Sequence, residues 1–394
     1  MRYLTVLLCA AAAMGGPLFD WQTTTELPRG SWRHACAATE DHLYFLGGGT
    51  GPEADCHHTA FKPDGTIDPW TATTSLPTTL GWFSAEATAG HIYVIGGWNT
   101  SGLTSAVRYA GIDSTGALGQ WTATTSLPVP LYTHGGILVD SCIYVVGGAA
   151  GVGQPVVADV RFARIQPDGT LGSWTATSSL PGVTRLNGIV HHNGFIYSLG
   201  GRPVNNGTDA VYYAARNPDG TLGQWQSTTS LPAAVEGATC AAIDGRVYVV
   251  SGLTAACWSA PTNPDGSLGA WMSEASLPQA RWAADGLAHA GRIYVPGGNL
   301  SSGQSTVYYS SPLVGTAEAP RASLHRALVA SPSVGHGSVT LNCTRPGRLL
   351  VSDACGRVRI EQRVTAGEVH LAGLGPGSYF CRLDGATARV VVLE

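Results

Sequence analysis

The sequence predicts an all-β protein, a six-bladed β-propeller followed by a small immunoglobulin-like β-sandwich, and three observations predict it. The composition is that of strands and turns, with 52 Gly and 23 Pro in 394 residues and only 12% charged against 44% hydrophobic side chains. The unit Trp, any five residues, Leu-Pro occurs at Trp21, Trp70, Trp121, Trp174, Trp225 and Trp271, a period of about fifty. Twenty-six residues after each Trp stands a Gly-Gly pair closing an apolar run, at Gly47, Gly96, Gly147, Gly200 and Gly297, with Ser251-Gly252 as the fifth-copy variant.

Each repeat resolves into four strands. Strand a runs through His34 to Thr39, and b is the apolar run Leu43 to Leu46, seen again as Ile92-Tyr93-Val94-Ile95. Strand c alternates, as in Val107-Arg108-Tyr109, and d is expected to end on the Trp. Asp-Gly or Thr-Gly five residues before the Trp (Gly65, Gly116, Gly169, Gly220, Gly266) marks the c–d hairpin turn. Length variation therefore falls after Gly-Gly. One such sheet cannot bury both faces, and a closed ring of sheets can. The sixth repeat lacks a d strand, and Gly16 to Trp21 aligns with Gly169 to Trp174. The N-terminal segment is thus expected to close the ring.

The Tyr-Val-x-Gly-Gly and Trp pattern resembles kelch repeats over residues 16–315. The resemblance implies the propeller and says little of function. Kelch-like propellers include six-bladed sialic acid epimerases and seven-bladed copper radical oxidases. The copper chemistry needs two Tyr and two His with a Cys beside one Tyr, and here only Tyr132, His34 and His134 stand out, so no metal or other cofactor is expected.

Residues 1–15 read as a signal peptide. A linker follows the ring at 316–323. Residues 324–394 read as short strands: Ser338 to Asn342, Arg348 to Ser352, Arg357 to Glu361, Glu368 to Leu371, Ser378 to Leu383 and Arg389 to Leu393. The phrases Val351-Ser352-Asp353-Ala354-Cys355-Gly356-Arg357 and Leu374 to Leu383 resemble the type A sorting domain of type IX secretion cargo. The resemblance implies a bacterial source, a secretion machinery as partner and delivery to the cell surface. The chain departs from it by ending Val392-Leu393-Glu394 instead of in a basic tail, and an appendage that binds or spaces is the alternative.

Charge and composition exclude several classes. Nine Arg face five acidic residues after Pro320, which leaves −8 on the first 319 residues and no basic field for nucleic acid. Lys62 is the chain's one lysine and Pro63 follows it, so there is no phosphate-loop Gly-Lys-Ser/Thr. No later apolar stretch reaches the ~18 residues of a membrane span.

The constant Trp to Gly-Gly spacing lets positions be compared between blades. The eleventh residue after each Trp reads Trp32, Gly81, Tyr132, Arg185, Glu236 and Trp282; the thirteenth reads His34, Phe83, His134, Asn187, Ala238 and Ala284. This divergence maps to the d–a and b–c loops at the mouth of the channel. Trp32, Trp82, Trp98 and Trp282 share that face and suit stacking on sugars, while Arg185 and Glu236 suit hydrogen bonds to hydroxyls or a carboxylate. Arg185 and Glu236, from successive blades, could also form an acid/base pair or a structural salt bridge. The pairs His57-His58 and His191-His192 read as surface histidines, the second in an a–b hairpin on the far side. Cys36 and Cys56, like Cys240 and Cys257, flank strand b at about 9–10 Å, too far for a relaxed disulfide, and read as small buried apolar residues.

The sequence thus favours a secreted or cell-surface monomer that recognises glycan or extracellular protein through Trp32, Trp82, Trp98, Tyr132, His134, Arg185, Glu236 and Trp282. The alternatives are a carbohydrate-active enzyme of sialic acid epimerase type, using Arg185 and Glu236 in the channel mouth, and a structural envelope or adhesin component.

Overall fold

The computed structural model describes residues 20–150 and 155–312, and seven strands between Leu328 and Val392 chiefly by their backbone. The expected signal peptide and linker lie outside the described residues. The chain divides into two compact units, 1–315 and 316–394.

The first unit is a ring of six four-stranded antiparallel sheets, and no helix occurs among the described residues. Blade 1 runs Ala35–Ala38 (a), His42–Gly48 (b), Glu53–Ala60 (c) and Thr71–Thr73 (d). Blades 2 to 5 repeat the order, with a strands at Ser84–Ala87, Gly135–Val139, Gly188–His192 and Thr239–Ile243. Blade 6 is assembled from both ends of the unit. Leu287–His289 (a), Arg292–Pro296 (b) and Val307–Ser310 (c) are completed by Trp21–Thr24 as strand d, in the register Trp21 to Ser310 and Thr24 to Val307. Each a strand neighbours the a strands of the blades on either side, so the six form the wall of a central bore.

Strand d differs from its expected place. It follows the Trp instead of ending on it, because the residues between the c–d turn and the Trp make single bridges such as Ile112 to Leu118, and the paired residues start at Thr122.

The repeated residues are inter-blade fasteners. The hydroxyl of the buried Tyr in strand b donates to the carbonyl of the c–d turn glycine one blade on: Tyr44 to Gly116 at 3.0 Å, Tyr93 to Gly169 at 2.8 Å, Tyr144 to Gly220 at 2.6 Å, Tyr197 to Gly266 at 2.8 Å and Tyr294 to Gly65 at 2.8 Å. The motif Trp points the other way. Trp121 Nε1 donates to Thr74 O at 3.0 Å, Trp174 to Thr125 at 2.9 Å, and Trp21 to Ala275 at 2.8 Å across the closure.

Gly-Gly supplies a third fastener. The second glycine's N–H donates to the carbonyl ten residues after the next Trp in all six blades, for example Gly97 to Leu131 at 2.7 Å and Gly298 to Ser31 at 2.9 Å. The first glycine must be left-handed and bare: at Gly96, φ is +59° and a Cβ would lie 2.6 Å from the Leu131 carbonyl. In blade 5 Ser251 adopts φ +62° and its hydroxyl accepts the Arg281 N–H at 2.6 Å, which ties the same two segments.

In the second unit, Leu328–Ser331, Ser338–Cys343 and Gly367–Ala372 form one antiparallel sheet. Gly347–Asp353, Val358–Val364, Gly377–Leu383 and Ala386–Val392 form another. Leu349 and Val351, two apart on one strand, are fully buried, as residues on one face of a packed sheet are.

Candidate functional site

The segment between each Leu-Pro and strand a builds the mouth of the bore. The twelfth residue after each motif Trp is Arg33, Trp82, Thr133, Leu186, Gly237 or Ala283, and all six are left-handed, with φ between +53° and +63°. For a tryptophan, a leucine or a β-branched threonine this is a costly conformation. It turns the backbone tangentially, so that Trp82 N donates to Arg33 O (2.9 Å), Thr133 to Trp82 (3.0 Å), Leu186 to Thr133 (2.8 Å), Gly237 to Leu186 (2.9 Å) and Ala283 to Gly237 (2.9 Å). Hydrogen-bonded neighbours stand about 5 Å apart between Cα atoms. Five of the six junctions are bonded in this way, and no such bond joins Arg33 to Ala283 among the described residues, so the hoop is open between blades 6 and 1.

On this hoop sits an aromatic cluster. Trp32 and Trp282, from the eleventh position of blades 1 and 6, and Trp82, from the twelfth of blade 2, meet with ring centroids 5.5 to 5.6 Å apart. All three are half-buried. The Arg33 guanidinium carbon lies 3.6 Å from the Trp32 centroid and 5.3 Å from that of Trp82. Burial lowers the Arg33 pKa, and neither Arg33 Nε nor Trp282 Nε1 has a hydrogen-bond partner. Gly237 permits the cluster, since a Cβ there would stand 2.8 Å from Trp282 Nε1. Trp98 is tied to its edge through paired backbone bonds with Gly81, at 2.8 and 2.9 Å.

The remaining rim residues are arranged otherwise than the sequence suggested. Arg185 and Glu236 do not pair. Arg185 Nη1 donates to Tyr132 Oη at 3.3 Å, and the buried Glu236 pairs with Arg202, in the b–c loop of blade 4, at 3.3 Å. Arg202 follows Gly200-Gly201 and so projects to the same face as Glu236, a partner hidden by the variable length of those loops. His134 points inward, with Nε2 3.0 Å from Ser84 Oγ, and burial lowers its pKa to about 4. His34, buried beside Phe45, is lowered to about 3 by burial and then by the Arg29 charge, against the Pro296 carbonyl. His191 and His192 end strand a instead of occupying the hairpin, and His191 lines the bore. Among the described residues no three His, Cys, Asp or Glu converge as a metal site, and Cys36, Cys56, Cys142, Cys240 and Cys257 are free thiols.

Below the hoop is a cavity of about 430 Å³ walled by strand a of all six blades and reaching their hairpin ends. It holds two carboxylates that the position-by-position comparison passed over, Glu86 and Asp285. Glu86 Oε2 accepts the Leu138 N–H at 2.9 Å and Asp285 Oδ2 the Cys36 N–H at 2.8 Å. Each thus satisfies the unpaired inner edge of the next blade's strand a. Enclosure by protein, then the negative charge of Asp285, raises Glu86 to about 8 against the Leu138 bond; burial raises Asp285 to about 7 against that of Cys36. The signal was legible. Asp285, fourteenth after its Trp, corresponds to Ala35, Ser84, Gly135, Gly188 and Thr239, and Glu86, sixteenth, to Ala37, Ile137, Val190, Ala241 and Leu287.

The fold defines the class of protein: a six-bladed β-propeller built from kelch-like repeats. Kelch-like protein 38 of Homo sapiens is 28% identical over 136 residues, 34% of this chain. The match spans 22% of the human protein's length. The solved structure of YjhT superposes with a TM-score of 0.60 at 15% identity, over 73% of this chain and 96% of that one. No family model matches the chain. No helix of the described residues is long and apolar enough to cross a membrane.

Proposed function

We propose that this protein is a secreted or cell-surface recognition module that binds glycan at the d–a/b–c face. The observation that carries the reading is the cluster of Trp32, Trp82 and Trp282 around Arg33: three half-buried indoles and a guanidinium stacked on them, on a strained but hydrogen-bonded hoop. Indole faces stack on the C–H faces of sugars, and Arg33 and Arg185 supply donors for hydroxyls or a carboxylate. An acid/base mechanism on Arg185 and Glu236 is disfavoured, since each is engaged elsewhere.

Delivery is part of the proposal. The signal-like N-terminus and the sorting-domain phrases, which run across the second unit's strands, support export and surface display. The test is a glycan array probed with the full chain, followed by titration of Trp32→Ala and Trp282→Ala. Loss of binding by at least tenfold in both is expected. Binding unchanged in both variants, or no glycan bound, would sink the proposal.

A further inference from the structure

The bore carries chemistry that the rim does not use. Glu86 and Asp285 are each anchored by one oxygen to a backbone N–H, while Glu86 Oε1 and Asp285 Oδ1 have no hydrogen-bond donor among the described residues. No Lys or Arg lines the cavity. Two further side chains of its wall, Asn187 and His134, are more than nine-tenths buried, and their unpartnered atoms, Asn187 Oδ1 and His134 Nδ1, are closed off behind the lining. In the tautomer that donates Nε2–H to Ser84 Oγ, His134 Nδ1 is an acceptor too. The wall thus holds two carboxyl groups with free oxygens and no Lys or Arg to neutralise them once ionised, which is unfavourable until something supplies a positive charge.

We propose that the bore binds a small organic cation, a primary ammonium or a guanidinium on a short aliphatic body, held by Glu86 and Asp285. The cationic head brings several N–H donors to the two free carboxylate oxygens. The aliphatic body meets Ala38, Leu138, Ile189, Ala242 and Leu287, which line the same space. About 430 Å³ lies in the range of small-molecule sites. A metal ion is a poorer fit, because two carboxylates from different blades fall short of the ligand set a metal takes.

Binding expels protons. The cation reverses the burial and repulsion that hold Glu86 near 8 and Asp285 near 7. The other titratable groups of the wall stay neutral near pH 7: His134 and His191 are lowered by burial, Cys36 is raised well above its ordinary value, and Cys240 is raised to about 12.

Isothermal titration of the full chain at pH 7, in two buffers of different ionisation heat, tests this with butylamine, 1,4-diaminobutane and butylguanidine. Butanol, butyrate and calcium chloride serve as comparisons. The cations are expected to bind one to one with a buffer-dependent heat reporting proton release, and Glu86→Gln and Asp285→Asn to weaken them at least tenfold. Both substitutions remove a group whose ionisation is unfavourable in the empty bore, and circular dichroism verifies their folds. The proposal is overturned if no organic cation binds at about 10 mM, if butanol, butyrate or calcium binds as well, or if the doubly amidated protein binds undiminished.

Discussion

Replacing Glu86 by Gln and Asp285 by Asn is expected to stabilise the protein in base and leave it unchanged in acid. A carboxyl whose folded pKa lies above its unfolded one costs nothing below the unfolded value. Its penalty grows as pH rises towards the folded value and is constant beyond it. For Glu86 the window runs from 4.5 to about 8, and for Asp285 from 3.8 to about 7. At about 1.4 kcal/mol per pH unit, Glu86 alone would forfeit about 5 kcal/mol and Asp285 about 4 kcal/mol across their windows. Solvent screening in the open bore, and repulsion that one substitution relieves for both, bring the expected gain at pH 9 to about 2 kcal/mol for Asp285→Asn and about 4 kcal/mol for the pair. Urea unfolding of wild type and variants at pH 4, 6, 7.5 and 9 measures the difference. Taking it against wild type cancels His34 and His134, whose lowered pKa values remove stability as pH falls from about 6.5 towards 3 to 4. A pH-independent difference, or one that shrinks towards pH 9, would refute the assignment of both groups to an enclosed, unneutralised bore.

Other expectations follow from the same geometry. Arg202→Ala strands the buried Glu236 and is expected to cost about 3 kcal/mol, whereas Arg185→Ala removes a bond to Tyr132 and costs under about 1 kcal/mol; equal losses in urea unfolding would contradict this pairing. Trp121→Ala deletes a buried fastener and should cost about 3 to 5 kcal/mol, while Trp32→Ala, half-exposed on the rim, costs markedly less in the same assay. Deleting residues 20–24 uncovers the edge of Val307–Ser310, and a fall of more than about 5 °C in the thermal midpoint with association on size exclusion is expected; a monomer of unchanged midpoint would argue against closure by that strand. Gly237→Ala places a Cβ at φ +59° against Trp282, and should lower both stability, by about 1 to 2 kcal/mol, and glycan affinity.

The architecture was legible because one set of residues serves every blade. Tyr and Gly-Gly bond to the next blade and Trp to the preceding one, save Trp70, whose Nε1 has no partner among the described residues, and the repeat records that demand. The closing strand was legible because Gly16 to Trp21 keeps the same spacing without its own blade. The site was legible in part. Divergence at the eleventh position pointed to Trp32 and Trp282 and placement on the same face to Trp82, but the shared left-handed turn at the twelfth position was not legible, because φ leaves no mark on side chains as unlike as Arg33, Trp82 and Leu186. The reading of Arg185 with Glu236 failed for a different reason: adjacency in blade order ignores the b–c loops, from which Arg202 arrives. Glu86 and Asp285 were passed over because they occupy different rows of the repeat, where a lone charge among small residues is the informative event.

The hoop at the twelfth position separates the two ends of the ring. Its backbone is linked blade to blade at five of six junctions, so exchanging side chains there decorates the opening while those peptide links stay in place. On the proposed reading a glycan docks on the tryptophans of this rim, whereas the chamber behind it is walled by strand a of all six blades. The two faces can therefore acquire or lose ligands separately, and an engineered rim should leave the chemistry of the bore untouched.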